Sequence, residues 1–579
     1  MKDIDKTILE KARQWLGEEF DPQTRQQVQT LIDNDPVGLT DAFYRDLEFG
    51  TGGLRGIMGV GTNRMNRYTV GMATQGLAQY LRRSFPNTNP IKVAIAHDCR
   101  NNSTYFTEVA AEILSANGIK VYLFDELKPT PLLSFAVREL GCQAGIVITA
   151  SHNPKEYNGY KVYWDDGGQL VPPHDKAVIE EVQGISRVDQ IKFGMDESLI
   201  EILDESFDKV YIERIKTVSL APEVIARHKD LPMVFTPIHG STVRLAPASL
   251  RAFGFEKIYH VPEQDVTSGD FPTVVSPNPE EPEALKMAMQ KGREVDADLV
   301  MGTDPDGDRV GFVVKDLEGD YVILNGNQAA ALLIYYLLEQ WKVKGKLTGN
   351  EYIVKTIVTT ELLQNIASQY QVECLDVLTG FKYIAEKMRL LEGKKTFIGG
   401  GEESYGYTIG DQVRDKDAVI SCCMMAEAAA WAKDQDRTLY QLLIDIYLKF
   451  GFYLEKLISL TKKGKAGMEE IQAMMDHYRK NTPAAINGVP VVLVKDYLTR
   501  SQIDKVTNQQ TPLDFPAANV LQLFLEDGSK ITMRPSGTEP KIKFYFGVKD
   551  QLKRAEDFPA MHEQLEQKVQ DIIHSMELK

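Results

Sequence analysis

Cysteine is scarce here: five in 579 residues, at Cys99, Cys142, Cys374, Cys422 and Cys423. None has CxxC spacing and none belongs to a small-domain disulfide framework, so they read as reduced thiols of a cytoplasmic protein. Long apolar runs are also missing. The longest, Ala329–Leu338, is far short of the ~20 residues a membrane-spanning helix needs. The first twenty residues are charged and lack the apolar core of a signal peptide, so no membrane partner is expected. Excess positive charge is absent too. A formal net charge of -16 argues against nucleic acid or an anionic membrane as the main partner. A locally positive pocket for a small anionic substrate remains open.

What is present is the balance of an ordinary globular protein, 43% hydrophobic and 26% charged. The length suits roughly four domains of ~150 residues. Ile4, Ile8, Leu9, Ala12, Trp15 and Leu16 lie at helical spacing and predict a leading amphipathic helix. Then strands alternate with helix-length segments: a strand over 91–96, a helix over 106–116 capped by Ser103 or Thr104, a strand over 120–124, a helix over 132–140, and the apolar run Ile146-Val147-Ile148. This alternation predicts mixed, mostly parallel sheets. Strands over 233–236 and 298–301 make a second such unit, and strands over 352–358 and 396–398 a third. Near 461 the pattern changes to shorter strands, with Asp527-Gly528 as a hairpin turn. The expected division is 1–205, 206–320, 321–460 and 461–579: three related α/β domains and a smaller α+β domain.

The chemistry concentrates in polar loops. Ile146–Ile148 runs into Thr149-Ala150-Ser151-His152-Asn153-Pro154, placing a hydroxyl and an imidazole at a strand's carboxyl end, where open α/β sheets bind ligands. Asn158-Gly159 reads as a tight turn that brings Lys161 back toward Ser151. A lone loop serine is more often a turn residue or a cap, so the rest of the chain must decide. Arg55 sits among six glycines (residues 49–66), which suits a guanidinium turned into a pocket. Asp304, Asp306 and Asp308 alternate in a Gly/Pro loop. Such carboxylates repel by ~4 kcal/mol per pair at ~4 Å and an effective dielectric of ~20 unless a cation neutralises them. An EF-hand is excluded, since Arg309 and Lys315 stand where that loop needs Gly and Glu. Three oxygens with room for water or phosphate suit Mg²⁺. Glu402 and Ser404 follow three glycines and could meet sugar hydroxyls. Arg534, Ser536, Gly537, Thr538 and Lys541 offer charge and donors to a phosphate.

TASHNP with NGYK, DPDGDR, GEES and RPSGTEP, in this order, resemble the α-D-phosphohexomutases (phosphoglucomutase/phosphomannomutase) from about residue 45 to the last domain. The resemblance implies four domains around a central cleft. It implies that Ser151 carries a phosphoryl group and that Mg²⁺ is held by that group with Asp304, Asp306 and Asp308. Arg309 would lie beside the phosphoserine, Arg55 and Lys161 would be the general acid/base groups, and His152 would belong to the catalytic set. Thr379, Gly380 and Lys382 match the sugar-orienting loop, Glu402 and Ser404 the sugar grip, and the Arg534–Lys541 segment the clamp on the non-reacting phosphate. The expected reaction interconverts glucose 1-phosphate and glucose 6-phosphate through glucose 1,6-bisphosphate, by a monomer or weak homodimer acting on a phosphosugar. Tyr405-Gly406-Tyr407 replaces the histidine of part of the family and looks more like the branch with phosphopentomutases and some phosphoglucomutases. Phosphomannomutase or phosphopentomutase activity, or a non-catalytic phosphosugar-binding role, is the alternative. A phosphatase with an aspartyl nucleophile fits poorly, because Asp308 stands where such enzymes carry Thr or Val.

Overall fold

The computed structural model describes residues 5–50, 52–462, 464–536 and 540–578. The chain gathers into two compact units. The first spans Met1–Asn325, Phe381–Gly399 and Ser404–Gln435, the second Gly326–Gly380, Gly400–Glu403 and Asp436–Lys579. No helix among the described residues is long and apolar enough to cross a membrane.

The first unit contains two sheets of like design. The first is built from β1 (Gly53–Ile57), β2 (Lys92–His97), β3 (Lys120–Phe124), β4 (Ala144–Ile148), β5 (Tyr157–Trp164) and β6 (Ile200–Leu203), in the order β1-β5-β4-β2-β3-β6. Strands β4, β2, β3 and β6 run parallel, while β5 is antiparallel to both β4 and β1. The second sheet has β7 (Met233–Thr236), β8 (Ile258–His260), β9 (Leu299–Thr303), β10 (Val310–Lys315) and β11 (Tyr321–Leu324), in the order β11-β10-β9-β7-β8. Its β8, β7 and β9 are parallel; β10 and β11 are antiparallel. In each sheet one parallel strand, β4 or β9, turns straight back into an antiparallel neighbour. Both strands are buried throughout, which is why their sequences are unbroken apolar or small residues rather than an alternation.

Helices on the sheets close the cores. Val93, Ile95, Ile146 and Ile148 share one apolar cluster with Leu77, Leu81, Ile113 and Leu114. Val234, Val300 and Val313 share another with Leu285 and Ala288. Each such side chain contributes roughly 1.5–3 kcal/mol on burial, and together they hold the two polar turns rigid. Ahead of β1, helices Lys6–Gln14, Pro22–Asn34 and Pro36–Phe43 start from the side-chain caps of Asp5, Asp21 and Asp35. They stack Trp15 and Phe20 against Phe43 and Tyr68, at ring-centroid distances of 4.8–5.6 Å.

The second unit carries the parallel pair Glu351–Thr356 and Glu373–Val377. It also holds an antiparallel sheet in which Phe452–Thr461 pairs with Lys541–Asp550 over its whole length. Lys530–Pro535, Leu521–Leu525 and Val489–Asp496 follow in that sheet, with helices Gly464–Lys480 and Phe558–Ser575 packed on it. Asp527-Gly528 makes the expected hairpin, with Gly528 at φ 81°.

Four local expectations need correction. Asn158-Gly159 is not a turn but part of β5, which starts at Tyr157. Its glycine serves close strand approach: a Cβ there would stand 2.4 Å from the Thr149 carbonyl oxygen and 2.9 Å from that of Leu54. The boundary at 320 comes one strand early, since β11 pairs with β10 in the second sheet. The boundary at 460 comes one strand late, because Phe452 already opens the C-terminal sheet. Helix Ser103–Ala116 is entered through Asn102 at φ 63°, so Ser103 is its first residue, not its cap.

Candidate active site

The turn from β4 to β5 presents Ser151, and the turn from β9 to β10 presents the three aspartates. The two turns meet. Ser151 Oγ donates to Asp304 Oδ2 at 2.7 Å and lies 3.1 Å from His152 Nδ1. Asp304, Asp306 and Asp308 are buried, with one carboxylate oxygen of each within 4.8 Å of the others. Gly307 allows the tight turn at φ 66°. Asp304 Oδ1 accepts the backbone N–H groups of Asp308 and Arg309, at 3.1 and 3.0 Å.

Cations hold this cluster. Lys161, opposite Val147 in the β4–β5 pairing, donates to Asp306 Oδ2 at 2.7 Å and to Asp308 Oδ2 at 3.3 Å. Lys416 reaches Asp308 Oδ2 at 3.1 Å and Asp415 Oδ1 at 3.1 Å. Burial opposes ionisation of Asp308, but Lys416, Lys161 and Arg309 outweigh it and hold this carboxyl well below its usual range. Asp304 is pushed up by burial and by its two carboxylate neighbours. The remaining oxygens, Asp306 Oδ1 and Asp308 Oδ1, are buried with no hydrogen-bond partner. Convergent carboxylates with orphaned oxygens and a serine oxygen beside them fit a hard divalent cation.

The other expected residues of the first unit fall as follows. Arg55 on β1 pairs opposite Gly159, and its Nη1 donates to Asn153 Oδ1 at 3.0 Å. Arg309 donates to Glu280 Oε1 at 2.7 Å, with its Nε 3.9 Å from Asp308. Burial, with Arg309 and Arg55 nearby, lowers His152 to about 3, so its imidazole is neutral at neutral pH. Lys382, in helix Phe381–Leu391, has Asp175 and Glu386 as its electrostatic neighbours rather than the aspartate loop. Ser404 is half-buried in the turn after Glu402.

In the second unit, Gly380 at φ 116° donates its N–H to Glu402 Oε1 at 2.9 Å, joining two of the expected sugar-binding segments; Thr379 beside it is half-buried. Arg534 lies on the strand opposite Lys543, and Ser536 N–H donates to the Lys541 carbonyl at 2.7 Å. Gly537 and Thr538 lie outside the described residues.

Sequence reasoning missed several participants. Lys416 and Asp415 sit in an unremarkable charged stretch, and Glu280 in a proline-rich loop. Only the fold carries them to Asp308 and Arg309. Glu403 accepts from Thr356 and Thr359 at 3.2 and 3.4 Å, and burial beside Glu402 pushes it up to about 7.

Two mixed sheets, each with a polar turn where a parallel strand doubles back into an antiparallel one, and a serine seated on a buried aspartate cluster define a phosphosugar-mutase-like scaffold. The comparisons agree. Three profiles described as phosphoglucomutase/phosphomannomutase, alpha/beta/alpha domains I, II and III, match residues 46–189, 209–319 and 325–450. The chain belongs to the phosphoglucomutase/phosphomannomutase family. It is 38% identical over 510 residues to a phosphoglucomutase of Staphylococcus haemolyticus, covering 87% of this chain and 91% of that one. It is likewise 38% identical over 515 residues to the phosphoglucomutase of Staphylococcus aureus strain MRSA252, covering 88% and 91%. Among solved structures, the open form of the Paramecium phosphoglucomutase pp63/parafusin shares the fold, with a TM-score of 0.68 at 17% identity over 92% of this chain and 96% of that one. A family protein from Burkholderia thailandensis gives 0.63 at 19%, over 91% and 97%. The expected three α/β domains are thus borne out.

Proposed function

We propose that this protein interconverts glucose 1-phosphate and glucose 6-phosphate through a phosphoserine at Ser151 and a glucose 1,6-bisphosphate intermediate. The observation that carries this reading is the seat of the Ser151 hydroxyl, 2.7 Å from Asp304 in a buried carboxylate cluster with two orphaned oxygens. Asp304, Asp306 and Asp308 hold Mg²⁺, which when bound supplies charge stabilisation to phosphoryl oxygens.

In the forward half-reaction the Ser151 Oγ–P bond breaks and a bond from phosphorus to the sugar hydroxyl oxygen forms. The hydroxyl proton must leave as this happens. The released Ser151 Oγ takes up a proton in its place, and Lys161 and Arg55, with His152 3.1 Å from Ser151 Oγ, are assigned to this proton exchange. The two cations stabilise the charge on the equatorial oxygens. The bisphosphate then turns over and returns its other phosphoryl group to Ser151. Burial of Ser151 and its aspartates keeps water from taking the phosphoryl group in place of the sugar. Glu402, Ser404, Thr379, Gly380 and Lys382 are assigned to the sugar, Arg309 to the phosphoserine, and Arg534, Ser536, Gly537, Thr538 and Lys541 to the non-reacting phosphate. A four-domain division, cytoplasmic location and a monomer or weak homodimer complete the reading.

The test is Ser151→Ala. It should abolish isomerisation of glucose 1-phosphate with a trace of glucose 1,6-bisphosphate, and mass spectrometry should find one phosphate on Ser151 of the unaltered protein. Full activity in the variant sinks the reading. Initial rates on glucose, mannose and ribose 1-phosphates rank the sugars, with glucose expected fastest.

A further inference from the structure

Ser151 stands at φ 52°, in the left-handed region that residues other than glycine rarely occupy. Such a conformation persists only where the surroundings fix it. Here one buried ion pair fixes both peptide groups that flank the Ser151 Cα. On the N–H side, Ser151 donates to Thr149 Oγ1 at 2.8 Å, and that hydroxyl donates to Asp98 Oδ2 at 2.6 Å. On the carbonyl side, Arg100 Nη2 donates to the Ser151 oxygen at 2.6 Å and also to that of Asn153. Arg100 Nη1 takes the carbonyls of Pro154 and Tyr157, at 2.9 and 3.1 Å.

The pair is itself fixed. Arg100 Nε lies 3.4 Å from Asp98 Oδ2, and both side chains are wholly buried. Asp98 Oδ1 accepts from Arg100 N–H and from Ser103 Oγ, each at 2.9 Å. Phe271 covers the guanidinium from 5.1 Å. A loop that needed only to be packed would be served as well by apolar side chains, since a buried ion pair adds little net stability. What a planar guanidinium adds is direction: several donors in a rigid fork fix several carbonyls at once.

We propose that Arg100, oriented by Asp98, is a positioning residue for phosphoryl transfer at Ser151. By setting both peptide planes it sets the Cα–Cβ direction, and so where Oγ stands relative to Asp304. Because a trans peptide sets C=O and N–H antiparallel, it also turns the His152 N–H away from the guanidinium. This rests on the phosphoserine reading above.

The test uses the full chain with Mg²⁺, as Arg100→Lys and Thr149→Val. The first keeps charge but loses the fork; the second removes the acceptor of Ser151 N–H. Four quantities are read: kcat and KM for glucose 1-phosphate, loss of phosphate from Ser151 to water without sugar, Mn²⁺ affinity of the aspartate loop, and thermal midpoint. The expected result is a fall in kcat of about 100-fold, the scale for a misplacement of ~1 Å, with KM and Mn²⁺ affinity unchanged. Phosphoserine hydrolysis should fall less than transfer, since water has no fixed geometry to miss. Turnover close to normal in both variants overturns the proposal. So does turnover lost in both only together with Mn²⁺ binding or folding, which is what a merely structural brace predicts. If the unaltered protein carries no phosphate and isomerises nothing, the functional reading fails first and takes this one with it.

Discussion

Lys161→Met removes the cation that spans Asp306 and Asp308, at 2.7 and 3.3 Å, while keeping the volume of its stem. Both carboxylates are essentially inaccessible to water, so little solvent can replace the ammonium. Taking one partner from a buried pair costs about 3–5 kcal/mol, most of it the penalty of the charge left behind. Lys416 remains 3.1 Å from Asp308, which leaves Asp306 as the abandoned carboxylate. At a few degrees per kcal/mol, the transition of the first unit should fall by roughly 5–10 °C in EDTA. Calorimetry of both proteins in EDTA and in excess Mg²⁺ provides the assay. A divalent cation offsets the same charges, so Mg²⁺ should raise the variant's midpoint more than the unaltered protein's. Adding Asp306→Asn should recover part of the loss, because it removes the charge that causes it. A loss under about 1 kcal/mol, or equal Mg²⁺ shifts in the two proteins, would refute the view that Lys161 and the cation neutralise one cluster.

Two further outcomes follow from groups in the same unit. Burial lifts Asp417, which accepts from Tyr211 Oη at 2.7 Å and caps helix Ala418–Lys433, to about 6 from a usual 3.8. The folded state then holds a proton that the unfolded chain has released, so stability is full below pH 3.8 and falls as pH rises to about 6. Asp417→Asn keeps the Oδ1 that accepts the Ile420 N–H and sets an NH2 donor against Tyr211 Oη, as the protonated carboxyl does, and chemical denaturation should find it more stable by up to about 3 kcal/mol at pH 8 but not at pH 4; equal gains at both would disprove the burial argument. Glu427 is fully buried and accepts from Ser219 Oγ and from the N–H groups of Leu220 and Ala221, at 2.5, 2.7 and 2.9 Å. Glu427→Ala strands all three donors and should cost at least about 3 kcal/mol in urea unfolding, a smaller loss meaning that water replaces the carboxylate.

The sequence alone determined what is local. Unbroken apolar runs announced the buried strands β4 and β9, and the residues that follow them, Ser151 and the Asp304–Asp308 loop, could be named because strand and motif are contiguous. Local signals failed where a residue serves a distant neighbour. Gly159 looked like a turn glycine, yet the carbonyls of Leu54 on β1 and of Thr149 just after β4 require it. The boundary near 320 cut off β11, because only its pairing with β10 shows which sheet it joins. Tertiary structure alone decided that Lys416 neutralises Asp308 from 108 positions away and that Arg100 takes four carbonyls more than fifty residues downstream. The reason is physical. A strand or a tight turn is selected by its own side chains and backbone angles, whereas charge compensation depends on separation in space, which the chain fixes only once its sheets have packed.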